Sequence, residues 1–281
     1  MPAMTTLAEL PIWTLLTRPS LEALLSRDGS MPEAIKIAAD LHDVSVADAP
    51  LLALTRLMIQ RAQALDGLTL TATGALSRID VRAFFDEMTW PGYDKANVLV
   101  MNKALNEADV MPVEITRRIA QDLKLLRKRE RRLLASKAGT MLVRENQAAA
   151  LFRQLFATTF WEINLAYFDR VPLEAWPQNH IGIVLWCLSV AGHEWFKAED
   201  LIRTCTVWDD TLDEGPLDFA GFAFESRVLR PLTWFGLMET RLEGEDDVPD
   251  WRRARQYRKT ALFDRALRFE VQMNNPSGVS H

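Results

Sequence analysis

PVEITRRIAQDLKLLRKRERRLLASKAGTMLVR, residues 112–144, is the stretch on which the fold reading turns. Ile115, Ile119, Leu123 and Leu126 recur at helical spacing and make one apolar stripe, with Pro112 placed to sit in the first turn. Arg117, Gln121 and Lys124 project from the opposite side, and Arg118 adjoins them. Asp122 interrupts this order, because the same arithmetic puts it inside the stripe. Either a neighbouring base pairs with it, or the helix ends early. The segment that follows, LRKRERRLLAS, has two readings. Leu, Lys, Arg and Glu are strong helix formers, and no Asn-Gly or Gly marks a tight hairpin, so propensity continues the helix. A two-stranded wing with Arg127, Lys128, Arg129 and Arg131 around its tip and Arg132 behind it is the other reading.

Charge sets this stretch apart. It holds ten Lys or Arg against three Asp or Glu in a chain of net charge −5. Across residues 66–144 there are 14 basic and 10 acidic groups, whereas residues 177–281 carry 12 and 17. An acidic protein does not coat nucleic acid with its whole surface, so any anion binding is local to the basic segment.

Working toward the N-terminus, GLTLTATGAL (67–76) alternates Leu68 and Leu70 with Thr between two glycines, a strand or turn. Ser77 stands three residues before Asp80 and opens a helix whose stripe is Val81, Phe84, Phe85 and Met88. Trp90-Pro91-Gly92 breaks it, and a second helix is expected over Lys95 to Ala108. Residues 1–65 read as a helical layer: Ser20 caps LEALLS, Ser30 and Pro32 open PEAIKIAADLHD, and Pro50 precedes LLALTRLMIQRAQAL. The order GLTLTATGAL, helix, Trp90, helix and RLLASKAGTML (132–142) resembles the C-terminal portion of an uncharacterised bacterial family, the plasmid-encoded ORF-3-like proteins. The resemblance implies that a leucine, an arginine-rich turn, a leucine, a small residue, a base and a glycine close a wing. It brings no known activity.

Toward the C-terminus, Phe152, Phe156, Phe160, Ile163 and Tyr167 step at helical spacing, an aromatic-faced connecting helix within 145–176. The last hundred residues repeat the earlier order: QNHIGIVLWCLSVAG, KAEDLIRTC, an acidic loop, FAGFAFESRVLRPLTWFGLMET with Phe224, Val228, Leu232 and Phe235 as its stripe, a charged turn, and a return through YRKTALFDRAL. RPLTWFGLMETRL and YRKTALFDRAL resemble the approach to a wing and its return strand in winged-helix proteins. Pro231 is expected to kink or end the helix it interrupts.

The expected architecture is mainly α, with two winged-helix-like modules bearing small β-wings: an N-terminal helical layer at 1–65, a basic module at 66–144, a connecting helix at 145–176, an acidic module at 177–275 and a tail at 276–281. The expected function is a non-enzymatic binding protein that contacts DNA through Arg117, Arg118, Gln121, Lys124, Arg127, Lys128, Arg129, Arg131 and Arg132. The alternative is a protein-interaction or assembly module, with an acidic partner for the basic patch and no nucleic acid. The second wing argues against symmetric DNA binding, because Glu243, Glu245, Asp246, Asp247 and Asp250 crowd its tip; the bases after it are expected to pair with these acids or with the 209–214 loop.

No catalytic residue, cofactor or metal site is expected. Asp209 to Asp213 and Asp246 to Asp250 both spell DDxxD, but beside glycine and proline rather than on a long helix. His42, His180, His193 and His281 share no ligand spacing with Cys187 or Cys205, and no phosphate-cradling or nucleophile-elbow motif is present. The two cysteines read as free buried thiols of a reducing compartment. The longest apolar run, around Ile181 to Gly192, falls short of the roughly 20 residues of a membrane span. The expected location is the cytoplasm, with no membrane contact.

Overall fold

The computed structural model of the chain describes residues 10–41, 46–209, 212, 218–244 and 253–274. The acidic tip at 245–250, most of the 209–214 loop, His42, Arg252, His281 and the tail at 276–281 lie outside the described residues. The protein is mainly helical with small antiparallel sheets. Among the described residues, no helix is long and apolar enough to cross a membrane.

Helix α1 (Arg18–Ala23) is capped by Thr17, whose hydroxyl accepts from the Ser20 amide. Ser20 therefore lies inside the helix rather than at its cap, and its buried hydroxyl accepts from the Gln272 amide at 2.8 Å. The helix expected over PEAIKIAADLHD does not form in its described part, residues 32–41. Ile35–Ile37 is a strand, β1, since Ile35 and Ile37 are β-branched residues flanking one exposed lysine and pair well on a pleated surface. Helix α2 (Pro50–Ala64) buries Leu51, Leu54 and Met58 as its spacing requires. Strand β2 (Leu68–Thr69) leads to α3 (Arg78–Glu87), capped by Ser77. Helix α4 (Lys95–Met101) is shorter than expected, because Asn102 turns extended and a 3-10 turn at Glu107–Asp109 intervenes before α5 (Met111–Asp122).

Strands β3 (Leu126–Arg129) and β4 (Arg132–Ala135) form a hairpin, which settles the two readings of 125–135 in favour of strands. Ser136 then caps α6 (Lys137–Leu142). Helix α7 (Ala148–Ala157) runs into a π-helical turn at Thr158–Glu162. Phe152, Phe156 and Phe160 are buried as the aromatic stripe implies, but the helix breaks before Tyr167, which is 64% exposed. After α8 (Ala166–Asp169) come α9 (Ile181–Ala191), α10 (Ala198–Cys205) and α11 (Phe219–Phe224). A second π-helical turn, Glu225–Leu229, leads into α12 (Arg230–Trp234). The chain thus absorbs Pro231 by widening the turn ahead of it, a known way to accommodate a missing amide donor. Strands β5 (Met238–Leu242) and β6 (Arg255–Lys259), helix α13 (Ala261–Ala266) and strand β7 (Leu267–Phe269) close the chain.

These elements form two compact units. One comprises Ala39–Thr159 and Leu232–Leu237; the other comprises Met1–Ala38, Phe160–Pro231 and Met238–His281. In the first, β2, β4 and β3 pair in that order, with Leu68 opposite Leu133 and Thr69 opposite Arg132. The core is built from Leu51, Met58, Val81, Phe84, Ile115 and Ile119, joined by Phe235, whose ring lies 5.3 Å from those of both Phe152 and Phe156 and near-perpendicular to them. Such edge-to-face packing exploits the opposite charges of ring edge and ring face.

In the second unit, β5 pairs with β6, β1 pairs with β7, and Phe196 bridges Tyr257. Its polar centre is Arg227, wholly buried in the second π-helical turn. Nε and Nη2 grip the Asp169 carboxylate at 2.7 and 2.9 Å, and the remaining donors reach the carbonyls of Val171, Leu173, Glu174 and Trp176. A buried guanidinium is tolerated when its donors are matched in this way. Burial pushes the Asp169 carboxyl up, but the hydrogen bonds from Arg227, the Val171 amide and Ser226 and the Arg227 charge outweigh it, so its pKa lies below the usual aspartate value.

Candidate nucleic-acid interface

The basic stretch is shaped by two left-handed residues. Helix α5 ends with Lys124 at φ 57°, so the Lys124 amide reaches the Gln121 carbonyl and the Leu125 amide the Ala120 carbonyl, both at 2.8 Å. This pair of bonds is the Schellman ending, with lysine where glycine is usual. It answers the question of Asp122: the helix stops there, and Asp122 is exposed on the last turn instead of facing the core. Glu130, at φ 55°, makes the second reversal, and together with Arg131 it forms the two-residue connection of the β3–β4 hairpin. Gly139 lets the following helix approach closely, since a Cβ there would stand 2.4 Å from the Leu125 carbonyl oxygen.

On that hairpin Leu126 and Leu133 point into the core, while Arg127, Lys128, Arg129, Arg131 and Arg132 are exposed. Arg132 is anchored, donating to the carbonyls of Leu65 at 2.5 Å and Gly67 at 3.1 Å. The Lys128 ammonium overhangs the turn at Gly74. Among the described residues, the side chains of Arg127, Lys128, Arg129 and Arg131 make no ion pair or hydrogen bond. The register sets Arg129 directly opposite Arg132. Like charges so paired destabilise a sheet unless something external neutralises them.

The helix preceding the hairpin is differently disposed. Arg117 donates to Glu107 and to Gln121, so both expected contact residues are engaged within the fold. Glu107 is buried at 3% exposure, and its other oxygen accepts from the Leu76 amide at 2.7 Å. Sequence reading passed over Glu107. Its signal was a glutamate just ahead of the helix, in the Asn106–Asp109 turn where Asp109 accepts from the Asn106 amide at 2.8 Å. Tyr93 reinforces the same turn by donating to the Asp109 carbonyl, and burial together with the Asp109 charge pushes its hydroxyl up to about 12. The stripe of α5 beside Arg117 holds Glu114, Arg118 and Asp122 at four-residue spacing, with Arg118 and Asp122 exposed and Glu114 half-buried. Lys124 is exposed at the helix end.

The β5–β6 hairpin provides an internal contrast, because its bases are occupied. Arg258 bonds Glu239 at 2.8 Å, Lys259 bonds Asp264 at 2.7 Å, and Arg255 lies 3.6 Å from Glu225. Arg241 and Arg258 both lie over the Trp195 ring, at 4.3 and 4.6 Å. Arg253 donates to the Leu242 and Gly244 carbonyls. Among the described residues Glu243 pairs with Lys197 at 2.8 Å, and the other acids expected as partners of these bases, at 245–250 and in most of the 209–214 loop, lie outside the described residues. Among the described residues, no cluster of three or more His, Cys, Asp or Glu side chains could hold a metal ion.

Residues 47–149, most of the first unit, match the family model described as the Y4jL N-terminal domain. The chain resembles an uncharacterised bacterial family. One relative, "Uncharacterized protein y4jL" of Sinorhizobium fredii (strain NBRC 101917 / NGR234), is 31% identical over 134 residues, 48% of this chain and 59% of the relative. The chain thus spans under two thirds of that relative's length. The matched model is an N-terminal domain, whereas the sequence resemblance was to a C-terminal portion. No solved structure matches.

Proposed function

We propose that the chain is a DNA-binding protein whose first module contacts the duplex with its β3–β4 hairpin used as a wing. The observation that carries this reading is the unmatched charge on that hairpin. Among the described residues, Arg127, Lys128, Arg129 and Arg131 are exposed without an internal partner, in a protein that elsewhere engages the bases of its other hairpin. Element order supports the winged-helix description. In residues 66–144 strand β2, helices α3, α4 and α5, and the β3–β4 hairpin follow one another, and β2 pairs with the last strand in the order β2-β4-β3. The same connectivity recurs where Phe196, between α9 and α10, bridges Tyr257 in the second strand of the β5–β6 hairpin that follows α12.

The test is fluorescence anisotropy of the whole protein with labelled duplex over a salt series. Each phosphate neutralised contributes a slope of about −0.9 in log affinity against log salt, so replacing Arg127, Lys128, Arg129 and Arg131 with Ala is expected to flatten the slope by about 3–4. Absence of measurable binding at low ionic strength would overturn the proposal.

A second reading, a protein-interaction module, is favoured by Val100 and Met101 on α4, which are 84% and 77% exposed. Concentration-dependent light scattering that collapses on Val100→Ser and Met101→Ser would support it.

A further inference from the structure

We infer, on the basis of the DNA reading above, that the module grips the phosphate backbone through its hairpin and does not read bases through α5. Recognition of a base edge needs donors that can leave the protein surface and enter the major groove, typically a bidentate Arg, Asn or Gln. Among the residues of α5 suited to that task, Arg117 and Gln121 are spent on each other and on Glu107. Glu107 cannot readily release Arg117. It is buried, its second oxygen holds the Leu76 amide, and losing the guanidinium would leave a carboxylate uncompensated in the core.

The neighbouring stripe of α5 is also unfavourable to a groove. Glu114 and Asp122 flank Arg118 one helical turn away on either side, so the stripe carries two negative charges against one positive. Brought toward paired phosphate strands, it would be repelled, whereas Arg127, Lys128, Arg129 and Arg131 on the hairpin would be attracted. Phosphate contacts fix orientation without carrying sequence information, so the ligand class is duplex DNA of any sequence.

The experiment uses the full chain in three forms: wild type, Gln121→Ala with Arg118→Ala, and the four-residue hairpin variant. Each is checked for folding by circular dichroism. Wild type is assayed against several unrelated duplexes and then taken through selection from a random duplex library. The expected results are affinities that agree within about threefold across sequences, no enriched motif, little change for the α5 variant, and a loss of about tenfold or more for the hairpin variant. A selected sequence bound about tenfold or more tightly than the rest, with that preference lost in the α5 variant, would overturn this inference and leave the DNA reading standing. Failure to bind any duplex would overturn both.

Discussion

Arg227 shows how much can depend on one side chain. Replacing it with Met keeps most of the volume but deprives the surrounding carbonyls of the guanidinium donors and leaves the Asp169 carboxylate with only the Val171 amide and the Ser226 hydroxyl. The expected cost is about 3–5 kcal/mol, read from the midpoint of urea unfolding. Because its carboxyl is held below the ordinary aspartate value, near 3.9, the Asp169 contribution is complete above that pH and is lost as pH falls through the lowered native pKa. Wild type and Asp169→Asn should therefore converge in stability as the solution is acidified, measured by denaturation at successive pH values. Little in the sequence points to this centre. Arg227 follows Glu225 and Ser226 in a helical stretch and reads as a solvated charge, and its partner is 58 positions away.

At the scale of elements, periodicity revealed the helices whose stripes are long: α2, α3, α5 and α7 bury most of the positions it selects, with Leu123 half-buried where α5 ends. It failed where pairing decides the outcome. Ile35 to Ile37 is too short for its period to speak, and its strand conformation comes from β7, at the other end of the chain. The wing was undecided because its reversals are built from Lys124 and Glu130, which do not advertise positive φ as Gly or Asn would. Their strain is a testable property. Lys124→Gly is expected to stabilise the protein by about 1 kcal/mol by removing a Cβ from a left-handed position, offset in part by the greater freedom of the unfolded chain. A rise in the urea midpoint with a slightly weaker DNA affinity would also indicate that Lys124 adds a phosphate contact. As for the candidate site, the sequence marked out the basic stretch with wing and helix both open, but could not show that Arg117 and Gln121 are engaged, since that depends on Glu107 across a turn.

For the molecule as a whole, the linear order of residues is a poor guide to which of them are packed together. Phe235 belongs to the unit formed mainly by Ala39–Thr159, although the chain on either side of its short segment belongs to the other. Phe235→Ala should cost about 3–5 kcal/mol by emptying the space against Phe152 and Phe156. Hydrogen exchange is expected to quicken in α7 before it does in α9; uniform acceleration of both would contradict the assignment of this segment.

The same segment sets a timetable for synthesis. Nearly all of the first unit has been translated once Thr159 is added, yet the ring that completes its aromatic core arrives only with Phe235. At about 5–20 residues per second, Phe152 and Phe156 wait several seconds for that ring on the growing chain. During this interval the nascent protein offers an incomplete aromatic surface to whatever holds newborn chains in solution. Release from such a holder becomes favourable only after the segment has emerged.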